Sequence, residues 1–154
     1  MTPPTQDVLL ATRVGDVMLG LHAHPAYLER RGTPATLGDL SAHALVGFDT
    51  ETPFLRTARS QFTSWSRDNF THRSDSDLAQ LALIRAGAGI GVCQMALAQR
   101  TPSLVQVLPG QWAFTLTTWV VMHDDLRTSP RCRVTFDALV QGLRRYTGTH
   151  ASGA

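Results

Sequence analysis

The stretch THRSDSDLAQLALIRAGAGIGVC, residues 71–93, decides the fold of this chain. Its first residues read as the end of a strand, and Ser74 then offers an acceptor oxygen at a helix start, with the acid Asp77 three residues on. The glycines at positions 87 and 89 end the helix before a second strand at residues 90–93. A strand-helix-strand unit is therefore predicted. Three aliphatic residues recur on one side of its helix at helical spacing: Leu78, Leu81 and Ile84.

The rest of the chain alternates short strands and helices in the same way. Ser129 and Pro130 suit the start of the clearest helix, whose buried face is predicted to be Phe136, Leu139, Val140 and Leu143. This alternation predicts an α/β fold, a mostly parallel sheet with helices on both faces, in which ligands favour the carboxyl ends of strands. The other predicted elements are strands at 17–23, 44–48, 104–108 and 116–123, and helices or helical turns at 26–31, 37–42, 53–59 and 95–100.

Composition and charge exclude several classes of protein. The chain has 154 residues and 43% apolar content, enough for one compact core. It shows no apolar run long enough for a membrane span and no signal-peptide pattern at its start, so we expect a cytoplasmic protein without membrane contact. All 14 basic residues are arginine, but 12 acidic residues lie among them and the net charge is only +2. No basic stripe suited to phosphates is visible, so we expect no direct DNA contact by this chain.

Several motifs with possible chemistry have a simpler structural interpretation. His22 and His24 share one face of a strand but lack a third ligand, so we predict no metal site. The glycine-rich residues 87–91 follow a helix instead of preceding one, so they favour tight packing over nucleotide binding. Cys93 and Cys132 are expected to be buried thiols. No catalytic triad or carboxylate pair is recognisable, so neither an enzyme nor a cofactor is predicted.

Three segments together resemble one known family. In order, these are HAHPAYLERRGTPATLGDLSAHALVGF at 22–48, RSDSDLAQLALIRAGAGIGV at 73–92 and SLVQVLPGQWAFTLTTWVVMHDDLRTSPRCRVTFDALVQGL at 103–143. They are similar to the effector-binding domain of LysR-type transcriptional regulators, which has the bilobed fold of type 2 periplasmic solute-binding proteins. The resemblance implies that this chain is an incomplete bilobed domain. It implies an arm and crossover at 1–16, the second lobe at 17–108, a return to a partial first lobe at 109–146 and a disordered tail at 147–154.

The resemblance implies a small-molecule effector-binding module of a regulator. Because Met1 to Thr5 leaves no room for the family's helix-turn-helix, we expect a truncated regulator that lacks the DNA-binding part. Two alternatives stay open. One is a solute-binding protein of the same fold, which a signal peptide would favour. The other is an interaction module that pairs with a full-length regulator, as a homo- or hetero-oligomer.

The candidate effector-binding residues follow the carboxyl ends of two predicted strands. Ser74, Asp75 and Ser76 stand at a helix start, where hydroxyls, exposed amides and the positive dipole end favour an anion such as a carboxylate. Helix capping alone would also explain them. Phe48, Asp49 and Thr50 follow the other strand, and the resemblance implies that both segments face the cleft. It also implies that His22 lines the pocket without binding an ion. The expected effector is a carboxylate or aromatic metabolite.

Overall fold

The computed structural model describes residues 9–51, 53, 55–57, 65–101 and 103–148. The α/β fold and the predicted order of elements are confirmed. Parts of three predictions lie outside the described residues: the arm at 1–8, residues 54 and 58–59 of the helix predicted at 53–59, and the tail at 149–154. The strands are β1 (Leu9–Ala23), β2 (Leu45–Gly47), β3 (His72–Arg73), β4 (Ile90–Gln94), β5 (Val105–Val107) and β6 (Phe114–His123). The helices are α1 (Pro25–Arg31), α2 (Asp77–Arg85), α3 (Met95–Gln99) and α4 (Pro130–Tyr146), with 3₁₀ segments at Gly38–Ala42, Arg67–Asn69 and Asp124–Thr128.

The sheet is mixed, which corrects the prediction of a mostly parallel sheet. Its strand order is β3-β2-β4-β1-β5, and β6 pairs with β1. Strand β2 runs parallel to β3 and β4, but β1 is antiparallel to both β4 and β5. Strand direction depends on how connections cross the sheet, and side-chain alternation carries no information about it.

Strand β1 is longer than predicted. It begins at Leu9 instead of Val17 and extends over 15 residues to Ala23. The pair Gly15-Asp16 resembles a turn in the sequence, and Gly15 does adopt a positive φ of 129°. The strand nevertheless continues through it, because pairing with β6 supplies hydrogen bonds that local propensity does not predict.

The sheet carries helices on both faces, as predicted. Residues 45 and 46 of β2 point to opposite faces because side chains alternate along a strand. On one face Leu45 packs in a core that includes Tyr27 of α1. On the other, Ile84 of α2 lies over Gly91, the residue that pairs with Val46. A Cβ at Gly91 would lie 2.6 Å from Cδ1 of Ile84, so only glycine lets α2 approach this closely.

The chain divides into two compact units. One consists of Met18–Phe114, and the other combines Met1–Val17 with Thr115–Ala154. In the second unit α4 packs on β1 and β6 through a small core of Val14, Val120, Met122, Phe136 and Val140, with Leu143 against it. Three positions of the predicted stripe are thus confirmed. The prediction that Leu139 is buried was wrong, because this residue is 51% exposed.

Among the described residues, no helix combines the length and the apolar character that a membrane crossing requires.

Candidate functional site

Two of the predicted site segments, 48–50 and 74–76, meet at one edge of the sheet. They follow parallel neighbours, β2 and β3, whose registers pair Gly47 with Arg73. The backbone N–H of Ser74 donates to the carbonyl oxygen of Gly47 over 3.0 Å, which continues the ladder one residue beyond β3. The carboxyl ends of parallel strands lie at the same edge, and this is why two segments distant in sequence become neighbours.

The Asp75 carboxylate holds the two segments together. Oδ1 accepts hydrogen bonds from the backbone amides of Asp49, at 3.0 Å, and Thr50, at 2.8 Å. Oδ2 accepts one from the Thr50 hydroxyl at 2.7 Å. These bonds, chiefly that from the Thr50 hydroxyl, lower the pKa of Asp75 because they stabilise the charged form. Asp75 therefore orders this site, and its oxygens are already engaged by protein donors.

We predict that Asp75 makes this edge of the sheet sensitive to acid. A depressed folded-state pKa gives stabilisation that is complete above the unfolded value of about 4 and is lost as the pH falls through the folded pKa. Asp75→Asn should therefore melt below the native chain at pH 7, and the gap should close as the pH is lowered below about 4. Thermal unfolding at several pH values measures this gap. Asp137→Asn, on α4, is the matched control, and an equal gap at every pH would contradict the assignment.

Two arginines balance the acidic charge of Asp49. Arg67 donates from Nε to the Asp49 carbonyl oxygen at 2.6 Å and from its terminal nitrogen to Oδ1 at 2.8 Å. Arg73 places Nε 3.5 Å from the same Oδ1. All three side chains are about half exposed, so these ion pairs orient the segment more than they stabilise the fold. The sequence analysis did not identify Arg67, whose role depends on a contact 18 residues away.

The two serines have roles that differ from the predicted capping. Helix α2 begins at Asp77 and its N-cap is Ser76, whose Oγ accepts from the Ala79 amide at 3.4 Å. Ser74, the predicted cap, lies before the helix, and its Oγ accepts from the Ser76 amide at 3.2 Å. A hydroxyl that accepts a hydrogen bond still has a proton to donate. Both serines therefore retain donor capacity toward a bound carboxylate.

A small depression lies beside the ion pairs that Asp49 makes with Arg67 and Arg73. It has a volume of about 160 Å³ and includes apolar walls from Leu55 and Trp65 and the charged side chain of Arg67. The remaining lining comes from Glu51, Ser66 and Asp68. Phe48 is half-buried and packs against the core of the same unit, as its apolar character predicts. The sequence analysis did not assign a place to Trp65.

His22 lies apart from the other predicted site residues. It is in β1, paired with Gly91 and Gln106, and in the sheet order β4 and β2 separate it from β3. Its ring is 3% exposed, and Nδ1 donates to the Gly20 carbonyl oxygen at 3.0 Å. Burial lowers its pKa, so the neutral ring is favoured. These contacts describe a buried structural histidine, and its place in an effector pocket remains a prediction.

The other motifs have structural roles in the described residues. His24 caps α1 by accepting the Ala26 amide on Nδ1 at 3.1 Å, a helix-entry role. No group of three or more His, Cys, Asp or Glu side chains there could hold a metal ion. Cys93 is a buried free thiol whose pKa is raised by burial, as expected, whereas Cys132 is only half-buried. Gly87 adopts φ +72°, a left-handed conformation just after α2, where the sequence predicted that the helix ends.

Comparison with known families identifies the domain. The family model of the LysR substrate binding domain matches residues 1–144, almost the whole chain. The chain therefore belongs to the LysR substrate-binding domain family, and it is an effector-binding domain of the LysR-type transcription regulators. Domains of this family bind small-molecule effectors, form oligomers in full-length regulators and are generally not enzymes. Among curated proteins, none matches the sequence.

Solved structures of such regulators share the fold. The regulatory domain of CrgA from Neisseria meningitidis superposes with a TM-score of 0.78 at 26% identity, over 92% of this chain and 72% of that one. Full-length CrgA gives 0.74 at 26% identity, over 90% of this chain but only 49% of that one. The regulatory domain of AphB from Vibrio vulnificus gives 0.66 at 19% identity, over 91% and 71%. The chain thus spans about half the length of a full-length regulator of this type.

Proposed function

We propose that this chain senses a small molecule at the edge of the sheet formed by residues 48–50 and 74–76, and that it binds this effector without transforming it. One observation carries the proposal: the Asp75 carboxylate joins the two segments through three hydrogen bonds. A site of this kind, at the carboxyl ends of adjacent parallel strands, is where α/β sheets favour ligands. Family membership supports the class of function.

The chemistry of the site favours an effector with a carboxylate and an apolar or aromatic body. The hydroxyl protons of Ser74 and Ser76 and the guanidinium of Arg67 supply donors for the carboxylate. Leu55 and Trp65 supply an apolar wall in the neighbouring depression. The carboxylates of Asp49 and Asp75 are engaged by protein donors, which limits their repulsion of an anion.

Further parts of this proposal rest on the family. The chain acts in the cytoplasm, since its relatives are transcription regulators, and any DNA contact belongs to a partner or to a separate domain. Pairing with a second regulator chain, as a homo- or hetero-oligomer, would transmit the effector signal. We also propose that the two compact units correspond to the second lobe and a partial first lobe of the family's domain.

Ligand-induced stabilisation tests the site. We expect one class in a panel of aliphatic carboxylates, aromatic carboxylates and amino acids to raise the melting temperature of the purified chain, because a ligand that prefers the folded state stabilises it. Ser74→Ala should raise the Kd of the active compound by up to about tenfold, the effect of one lost hydroxyl hydrogen bond. Ser129→Ala is the matched control, since the Ser129 side chain makes no capping hydrogen bond to α4. A Kd unchanged by Ser74→Ala would place the effector elsewhere.

A further inference from the structure

A second cavity lies at the opposite ends of the parallel strands. It is lined by the residues that precede β2, β3 and β4, so one length of β2, roughly 10 Å for three residues, separates this edge from the proposed effector site. Its volume is about 380 Å³, in the range of small-molecule sites. The lining residues are Tyr27, Arg30, Arg31, Ser41, Ala42, His43, Ala44, Thr71, Gly87 and Ala88.

The charged side chains that line this cavity are both positive. Arg30 and Arg31 are permanent cations, and no acidic side chain is among the described residues that line the cavity. The remaining polar groups are neutral hydroxyls, an imidazole and backbone. Such a cavity attracts anions, and its wide mouth and mixed lining suit a compact charged group better than an apolar ligand.

Both guanidiniums are held in place by the backbone. A terminal nitrogen of Arg30 donates to the carbonyl oxygen of Gly87 at 3.1 Å, and one of Arg31 donates to that of Ala42 at 3.2 Å. A guanidinium has five N–H donors, so each keeps several for a ligand. The arginines come from α1 and their partners from two other segments, so the cations are fixed at the cavity before any ligand arrives. This preorganisation reduces the entropy lost on binding.

Tyr27 and His43 add a positioned neutral donor. The Tyr27 hydroxyl accepts from the Ala44 amide at 2.8 Å and lies 3.2 Å from Nδ1 of His43. Burial and the neighbouring Arg31 lower the pKa of His43 and outweigh the opposing effect of Asp39, so the neutral ring is favoured. When the Tyr27 hydroxyl donates to Nδ1, the ring proton lies on Nε2 and is available to an anion.

From this geometry we propose that the cavity lined by Arg30, Arg31 and His43 is a second binding site, one for a compact dianion such as a phosphate monoester or a small dicarboxylate. It is distinct from the proposed effector site, which lies at the carboxyl ends of the same strands. A bound dianion would link α1, the 3₁₀ segment Gly38–Ala42 and the turn between α2 and β4.

Calorimetric titration of the full chain with inorganic phosphate and with malonate, each against sodium chloride of equal ionic strength, tests this site. We expect saturable binding of at least one dianion, and the active one identifies phosphate or dicarboxylate as the class. Arg31→Gln should raise its Kd about tenfold, as expected for a lost hydrogen bond to a charged group. Arg133→Gln, an exposed arginine of α4, is the matched control.

Two further variants separate binding from folding. Ser41→Asp leaves both arginine-to-backbone contacts in place but adds a carboxylate to the lining, and we expect it to abolish saturation. Ser129→Ala, which lies in neither site, should leave the dianion Kd unchanged. Absence of saturation beyond the chloride control would overturn the proposal, as would an equal effect of Arg31→Gln and Arg133→Gln.

Discussion

Gly89→Ala is expected to destabilise the unit Met18–Phe114 by about 3 kcal/mol, the upper range for overpacking a close-packed site. A Cβ at Gly89 would collide with the carbonyl oxygen of Ala44, which is a backbone atom and cannot rotate away. That oxygen also accepts the Ile90 amide at 2.9 Å, the bond that begins the β2–β4 pairing. The added methyl group must therefore separate the two strands or break this bond.

Urea unfolding followed by circular dichroism measures this loss. Gly38→Ala is the matched control, because its Cβ would meet only the Thr36 hydroxyl at 3.6 Å, an ordinary contact. A variant at Gly89 as stable as the one at Gly38 would mean that β2 and β4 are not held as closely as the structure has them. Because Ala44 also lines the second cavity, Gly89→Ala should weaken dianion binding there as well.

The sequence predicted that segments 48–50 and 74–76 follow strand ends, and one rule of sheet geometry brings them together; their role in effector binding stays a prediction. Asp49 and Asp75 each lie just after a short strand, and parallel neighbours end at the same edge. The prediction therefore required only that the two strands be adjacent. Which atoms meet could not be predicted, because the Asp75 contacts with Asp49 and Thr50 depend on the register of β2 and β3.

Helix α2 illustrates where periodicity misleads. Leu78 was predicted on the buried side, but it is 79% exposed, while Gln80 is buried. Gln80 is tolerated there because its Nε2 donates a hydrogen bond to the Ser74 carbonyl oxygen at 2.7 Å. Its amide nitrogen is therefore buried with a hydrogen-bond partner. A hydrogen bond to a distant backbone atom is invisible to an apolar pattern. The same hydrogen bond holds the start of α2 against segment 74–76 of the proposed effector site.

Strand β1 and the second cavity show a different limit. The direction of β1 and its start at Leu9 depend on pairing with strands far along the chain. The cavity brings together α1, the residues just before β2 and β3, and the turn after α2, and no recognisable sequence motif includes Arg30 or Arg31. In the sequence these arginines are two of 14 scattered cations. Tertiary contacts alone give them a common site.

Trp65→Ala is expected to cost about 3–5 kcal/mol of unfolding free energy, the usual loss for truncating a large buried aromatic side chain. Trp65 is 2% exposed and meets the Phe70 ring edge to face at a centroid distance of 5.0 Å. It also stacks on Trp112 at 6.2 Å. The Phe70 ring in turn covers Gly47, where a Cβ would collide with it, so removing Trp65 leaves a cavity next to the end of β2.

The same substitution should weaken the proposed effector site, because Trp65 lines its apolar depression and precedes Arg67, which holds Asp49. Circular dichroism is the suitable measurement, since the substitution removes one of only three tryptophans. Trp112→Phe is the comparison variant, and we expect it to lose much less, because its buried indole Nε1–H has no hydrogen-bond partner and phenylalanine removes that unsatisfied donor. If Trp65→Ala instead costs under about 1 kcal/mol, the site has collapsed around the missing ring. The contacts of Trp65 with Phe70 and Trp112 would then not be what positions the proposed effector site.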